Sequence, residues 1–158
     1  MTPVPISRAM EPDVLALNNA HAQELSWLEI DALRSLISQA FYARAVGHVE
    51  AFLLALDHAA TYDSPNYAWL KARYDRFIYV DRIAVASSAR GRGLARALYE
   101  DLMAEARGAG FDRIVCEVNC DPPNPASDAF HEALGFEEVG RARLVDRNKT
   151  VRYLTLQL

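Results

Sequence analysis

Between residues 90 and 96 the chain reads Arg90-Gly91-Arg92-Gly93-Leu94-Ala95-Arg96. An apolar, strand-like stretch precedes the run and a long amphipathic stretch follows it, so it predicts a loop that opens a helix. Glycines keep side chains away from the backbone. The first N–H groups of a helix lack internal partners and carry partial positive charge. With Arg90, Arg92 and Arg96 around it, such a place suits a phosphate or pyrophosphate. Two other phosphate motifs fail on the letters. A Walker loop needs Gly followed by Lys and Ser or Thr, which this chain lacks. The dinucleotide fingerprint needs a third glycine where Arg96 stands, and it belongs to a first βαβ unit, not past the middle of a chain.

Glu117 is a second candidate. Its neighbours Ile114, Val115, Cys116 and Val118 are apolar, so a charge among them needs a reason. Either it pairs with an arginine such as Arg113 or Arg152, or partial burial raises its pKa toward neutrality and suits it to accept a proton. Cys116 and Cys120 lie in a segment that reads as extended, which sets their Cα atoms about 13 Å apart, too far for a disulfide. They read as packing residues; carrying an acyl group would require an activating partner that is not near in sequence. Four scattered histidines without a Cys-x-x-Cys pair give no zinc pattern, and no metal is expected.

The elements that must position these residues follow from periodicity. Val4–Arg8 reads as a first strand. Glu11-Pro12-Asp13 opens a helix, with Pro in its first turn and acids at its positive end. Ser26 and Glu29 form an S-x-x-E capping box, with Leu25 and Ile30 as a hydrophobic staple. They predict a second helix whose buried stripe is Ile30, Leu33, Leu36 and Ile37. Strands are expected at Phe41–Val46 and His48–Leu56, turning at Gly47. The connection Asp57–Asp75 reads as irregular, with one or two helical turns near Asn66–Arg73. Its length invites a functional role. Arg76–Ala86 is a strand, and the helix after Gly93 buries Leu94, Leu98, Leu102 and Ala106 before Gly108 and Gly110 end it. Asp112–Asn119 is a strand that Pro122-Pro123 breaks. A helix runs from Asn124-Pro125 to Gly135, and strands Phe136–Val145 and Val151–Leu158 close the chain. The order β-αα-ββ-β-α-β-α-ββ implies an α/β fold with helices on both faces of one mixed sheet.

The 158 residues predict a single domain spanning 1–158. Hydrophobic residues at 51% and charged ones at 24% place it among soluble globular chains. The longest apolar run, Ala51–Leu56, is too short to cross a bilayer. The first residues hold no apolar signal core. A net charge of -4 argues against a general nucleic-acid binder. The expectation is a cytoplasmic protein with neither nucleic-acid nor membrane partner, and the edge of the last hairpin offers a surface for a homodimer.

The pattern R-x-x-G-x-A, carried by Arg90, Gly93 and Ala95, resembles that of the GNAT acyltransferase superfamily. Asn124–Phe136 is similar to the same family's N-x-x-[AS]-x-x-[LF]-Y-E-x-L-G-F segment. The likeness covers roughly residues 76–136; the first half of the chain fits only in element order. It implies a GNAT-like fold that uses acetyl-CoA (coenzyme A). The pyrophosphate would lie on Arg90, Gly91, Arg92, Gly93, Leu94, Ala95 and Arg96. The pantetheine arm would pair with Ile83, Ala84 and Val85, and Asn124, Ser127 and Phe130 would add contacts. A backbone N–H of Val85 or a neighbour would polarise the thioester carbonyl.

The resemblance further implies N-acetyl transfer to an amine by direct attack in a ternary complex. Glu117 stands where similar proteins carry a Glu with a proposed base role. His131 stands where the family usually has a tyrosine, proposed to protonate the departing thiolate. A histidine there either does the same or is a plain helix residue, with Tyr99 or a tyrosine of residues 57–75 as the acid. The acceptor cleft would be walled by the first two helices and the 57–75 connection, with Asn18, His21, Glu24, Tyr62 and Asn66 as candidate contacts. A long insertion narrows such a cleft and favours a small-molecule amine. The alternative is a non-catalytic acyl-CoA-binding sensor or regulatory module.

Overall fold

The computed structural model describes residues 1–158. Ala51–Leu56 explains its layering. Ala51, Leu53 and Ala55 point to one face, Phe52, Leu54 and Leu56 to the other, and all six are buried. A strand covered on both sides has no polar face to show, hence its unbroken apolar run. It is β3 (Ala51–Asp57) of a seven-stranded mixed sheet ordered β1-β2-β3-β4-β5-β7-β6. The other strands are β1 (Val4–Pro5), β2 (Tyr42–Val46), β4 (Ile78–Val85), β5 (Arg113–Asp121), β6 (Glu137–Leu144) and β7 (Lys149–Gln157). Only β4 and β5 pair in parallel.

Six helices cover the two faces. On one lie α5 (Leu94–Gly108) and α6 (Pro125–Leu134), with Leu94, Leu98, Leu102 and Ala106 buried as their spacing predicts. On the other, α1 (Glu11–Ala20), α3 (Ile30–Gln39) and α4 (Pro65–Arg73) bury Val14, Leu33, Leu36, Tyr67 and Leu70. The short α2 (Ala22–Leu25) links the first two. The expected mixed α/β architecture with helices on both faces is therefore present.

Local expectations fail in three places. The first strand shrinks to Val4–Pro5 and gives way to a 3-10 turn at Arg8–Met10. The Ser26–Glu29 capping box does not form. Ser26 instead closes α2 with φ 72°, and α3 begins at Ile30 with no side-chain cap. The Glu29 carboxylate accepts from the Trp27 indole. The strand expected from His48 starts at Ala51, because residues 47–50 all belong to the turn. The helical turns expected near Asn66–Arg73 are present as α4, nine residues long, and the Ser64 hydroxyl accepts the Tyr67 N–H at its start.

One irregularity positions everything that follows. Opposite β3, the register steps from Ala55↔Val80 to Leu54↔Arg82, leaving Asp81 as an extra residue. Ile78 and Val80 face the α5 side before this bulge, and Ile83 and Val85 face it afterwards. A bulge bends its strand and re-aims side chains. Past it β4 leaves β5: the two pair only at Ile78↔Ile114 and Tyr79↔Val115, while β4 continues to Val85 and β5 to Asp121.

Candidate active site

The gap between the parted strands is a cleft of about 910 Å³. At one end stands the start of α5. Gly91 and Gly93 have φ 79° and 76°, backbone conformations that side chains disfavour. A Cβ placed on either would meet nothing within 4 Å. No side chain caps the helix, and its first internal bond runs from Ala97 N–H to Gly93 O. The N–H groups of Leu94, Ala95 and Arg96 are thus free to meet an anion. Ile83, Ala84, Val85, Arg90, Gly91, Gly93, Leu94, Ala95, Arg96, Asn124, Ser127 and Phe130 all line the cleft. Arg92 does not; its guanidinium turns away to pair with Glu50 beside the β2–β3 turn.

Glu117 lies where the strands part. Neither arginine considered for an ion pair reaches it. Arg152 binds Asp128 and Glu138, and Arg113 lies over the Tyr74 ring and donates to Thr155. The Tyr79 hydroxyl donates to the carboxylate at 2.8 Å, and Asn66 Nδ2 donates to Oε1 at 3.0 Å. Burial, with the Asp81 carboxylate nearby, pushes the Glu117 pKa up to about 8, against the pull of these two donors. Asp81 itself is held at 2.7 Å by Arg82, both side chains being almost wholly buried.

His131 is buried at 6% exposure, not displayed on its helix. Its Nδ1 lies 2.7 Å from the Ser127 carbonyl, which can only accept, so Nδ1 carries the proton. Nε2 then accepts from the Tyr99 hydroxyl at 3.1 Å. Burial lowers the pKa of this imidazole and keeps it neutral. Both nitrogens are engaged, which leaves no N–H aimed into the cleft for the acid role expected of His131. Tyr99, fully buried, is its partner. Cys116 is buried beside them, its thiol pKa raised by desolvation, as befits a packing residue.

His21, Glu24 and Tyr62 line the other end of the cleft. Asn18 does not. It is fully buried, accepts from Arg82 Nη1 at 2.8 Å and donates to the Ser26 carbonyl, so it braces the α1–α2 turn. Asn66 lines the cleft, but its amide is spent on Glu117 and Tyr153. The residues that sequence reasoning passed over are Tyr79, Asp81 and Arg82. Their signal was present: an Asp-Arg pair in the middle of an apolar strand raises the same question as Glu117.

Comparison with known proteins adds to this geometry. Residues 64–136 match the model of the acetyltransferase (GNAT) family. No curated protein sequence matches the chain. Solved structures do. The ribosomal-protein-S18-alanine N-acetyltransferase from Escherichia coli superposes with a TM-score of 0.73 at 20% identity, over 99% of this chain and 92% of that one. For yncA from Salmonella typhimurium, a putative acetyltransferase solved with acetyl-CoA, the values are 0.72, 21%, 100% and 94%. For the NatC complex bound to Gag peptide and CoA they are 0.75, 19%, 100% and 99%. No helix of the chain is long and apolar enough to cross a membrane. Residues 64–136 thus resemble the acetyltransferase segment of the GNAT family, and the chain as a whole has the fold of the N-acetyltransferases it superposes on.

Proposed function

We propose that the protein transfers an acetyl group from acetyl-CoA to a small amine in one ternary complex, with Glu117 taking the proton. The observation that carries this reading is the half-buried carboxylate of Glu117 on the same cleft as the uncapped amides of α5. The open space over Gly91 and Gly93 fits a pyrophosphate, with Arg90 and Arg96 beside it. Acetyl-CoA supplies an acetyl group activated as a thioester. The exposed edge of β4 around Ile83–Val85 offers the pantetheine arm a strand-like partner and the thioester oxygen an N–H donor.

An amine reaches the enzyme as an ammonium ion and must lose a proton before it can attack. A base near pKa 8 is matched to amines that ionise near neutrality, such as an α-amino group at about 8, better than to a lysine at about 10.4. Above about pH 8.5, where an ordinary thiol is ionised, the thiolate can depart without a side chain to protonate it, so an acid matters only at lower pH. The acceptor end is walled by His21, Glu24 and Tyr62 and by Leu144–Lys149 of the last hairpin, and the Lys149 ammonium bonds the Gln23 carbonyl at 2.9 Å. These walls favour a small amine. A non-catalytic CoA sensor has no use for a carboxyl group poised near neutrality at that depth.

Thiol release from acetyl-CoA, measured against a panel of small amines and of short peptides with free N-termini, tests the proposal. Turnover with small amines is expected. Glu117→Gln should lower the rate by roughly 10²–10⁴ with CoA affinity unchanged. CoA binding without turnover on any amine would leave the sensor reading. Turnover on peptides alone would overturn the small acceptor.

A further inference from the structure

Behind Glu117 a chain of hydrogen bonds leads away from the cleft. Asn66 is 4% exposed and Tyr153 is fully buried. The Tyr153 hydroxyl donates to Asn66 Oδ1 at 2.8 Å, and Asn66 Nδ2 donates to Glu117 Oε1 at 3.0 Å. Tyr153 is the cross-strand partner of Glu117 on β7, and Asn66 belongs to the first turn of α4. The two ends of an amide differ only in that one donates and the other accepts. A carboxylate accepts only, so the NH₂ end must face it, and the remaining oxygen needs a donor. Tyr153 supplies that donor and ties down the end of the amide that faces away from Glu117.

We propose that Tyr153 and Asn66 are positioning residues: the phenol anchors the amide at its oxygen end, and the anchored amide holds the Glu117 carboxylate in place and favours its ionised form. The proposal rests on the base role of Glu117 for its catalytic consequence, but not for its structural content. Tyr153 is itself clamped. Its ring stacks on Trp69 with centroids 4.0 Å apart and planes 13° apart. A Cβ on Gly140 would come within 2.5 Å of that indole, so the glycine on β6 is what lets Trp69 lie flat against Tyr153.

The groups that bear on Glu117 are few and can be set apart. From β4 come the Tyr79 hydroxyl, which favours the anion, and Asp81, which opposes it and is itself paired with Arg82. Cys116, Tyr99 of α5 and Tyr153 of β7 are coupled to it only in their uncommon charged forms, all three being pushed upward by burial. Asn66 is the one neutral partner whose effect reverses if it turns, because its oxygen would then face Glu117 and favour the protonated acid. Removing the Tyr153 hydroxyl therefore changes the proton affinity of a carboxyl group it does not touch.

Tyr153→Phe keeps the ring and its stack and deletes only the donor. Asn66→Ala deletes the amide. The titration of Glu117, followed by ¹³C NMR of its side-chain carboxyl in the ligand-free protein, should move up by about one pKa unit in either variant. The rising limb of the kcat/KM profile should move with it, costing about tenfold at pH 7 and recovering at pH above the limb. A merely structural role for Tyr153 would lower the melting temperature and leave both pH curves alone. An unshifted Glu117 titration in both variants overturns the proposal, and the base reading would still stand or fall on Glu117→Gln. A shifted titration with an unmoved rate limb upholds the positioning and overturns the base role.

Discussion

Glu117 ionises near 4.5 when the chain is unfolded and near 8 in the folded protein. Below both values the group is protonated in either state and has no effect on stability. Between them only the unfolded chain has released the proton, so stability falls as pH rises from about 4.5 to about 8 and then levels off. Glu117→Gln removes that slope. Thermal melts should show the variant gaining on the parent across this window, by roughly 10–15 °C at pH 8 for a chain of this size, and by almost nothing near pH 4. An equal gain at all pH values would mean that the carboxyl group is not strained by its surroundings. Glu117 was legible because a lone charge in an apolar strand stands out. The roles of Asn18 and Asn66 were not, because an amide on a polar segment looks the same whether it meets a ligand or a residue far along the chain. For Asn66 that residue is 51 positions away, and for Asn18 it is Arg82, 64 positions away.

An anion at the start of α5 would be held first by the backbone amides, with Arg90 and Arg96 beside them and Arg92 turned away. Gly93→Val would force a branched side chain into a left-handed conformation and fill the open space before the helix amides. Arg92→Ala would remove a side chain that faces Glu50 instead. Calorimetry with CoA should therefore show binding lost, or weakened at least about a hundredfold, for Gly93→Val, and changed by less than about threefold for Arg92→Ala. A larger loss for the arginine would place the anion elsewhere. At this scale the sequence reported helices and strands well wherever burial is periodic, as in α3 and α5. It failed where two local signals compete. Ser26 and Glu29 have capping-box spacing, but Asn18 and Asn19 hold the Ser26 and Leu28 backbone from α1, and the chain turns at Ser26 instead of starting a helix there.

In the whole molecule the helices and five of the six strand pairings form a continuous frame, and the sixth pairing, between β4 and β5, stops after two residue pairs. The phase change from Ile78 and Val80 to Ile83 and Val85 was already in the letters, but its meaning depended on β3 lying opposite. An open seam in a sheet also has a consequence in time. Amides along Ile83–Val85 and Cys116–Asn119 that face the seam have no neighbouring strand to shield them, so they should exchange with deuterium readily even though the strands themselves are part of the core. A pantetheine arm laid along β4 would act as a missing strand for one side only. Adding CoA at a hundred times its dissociation constant should slow exchange at Ile83–Val85 by up to about a hundredfold, while amides of β1, β2 and β6 keep their rates. Uniform slowing across the sheet would show a molecule that tightens everywhere. Slowing confined to one lip of the seam would show an enzyme whose sheet is finished by what it binds.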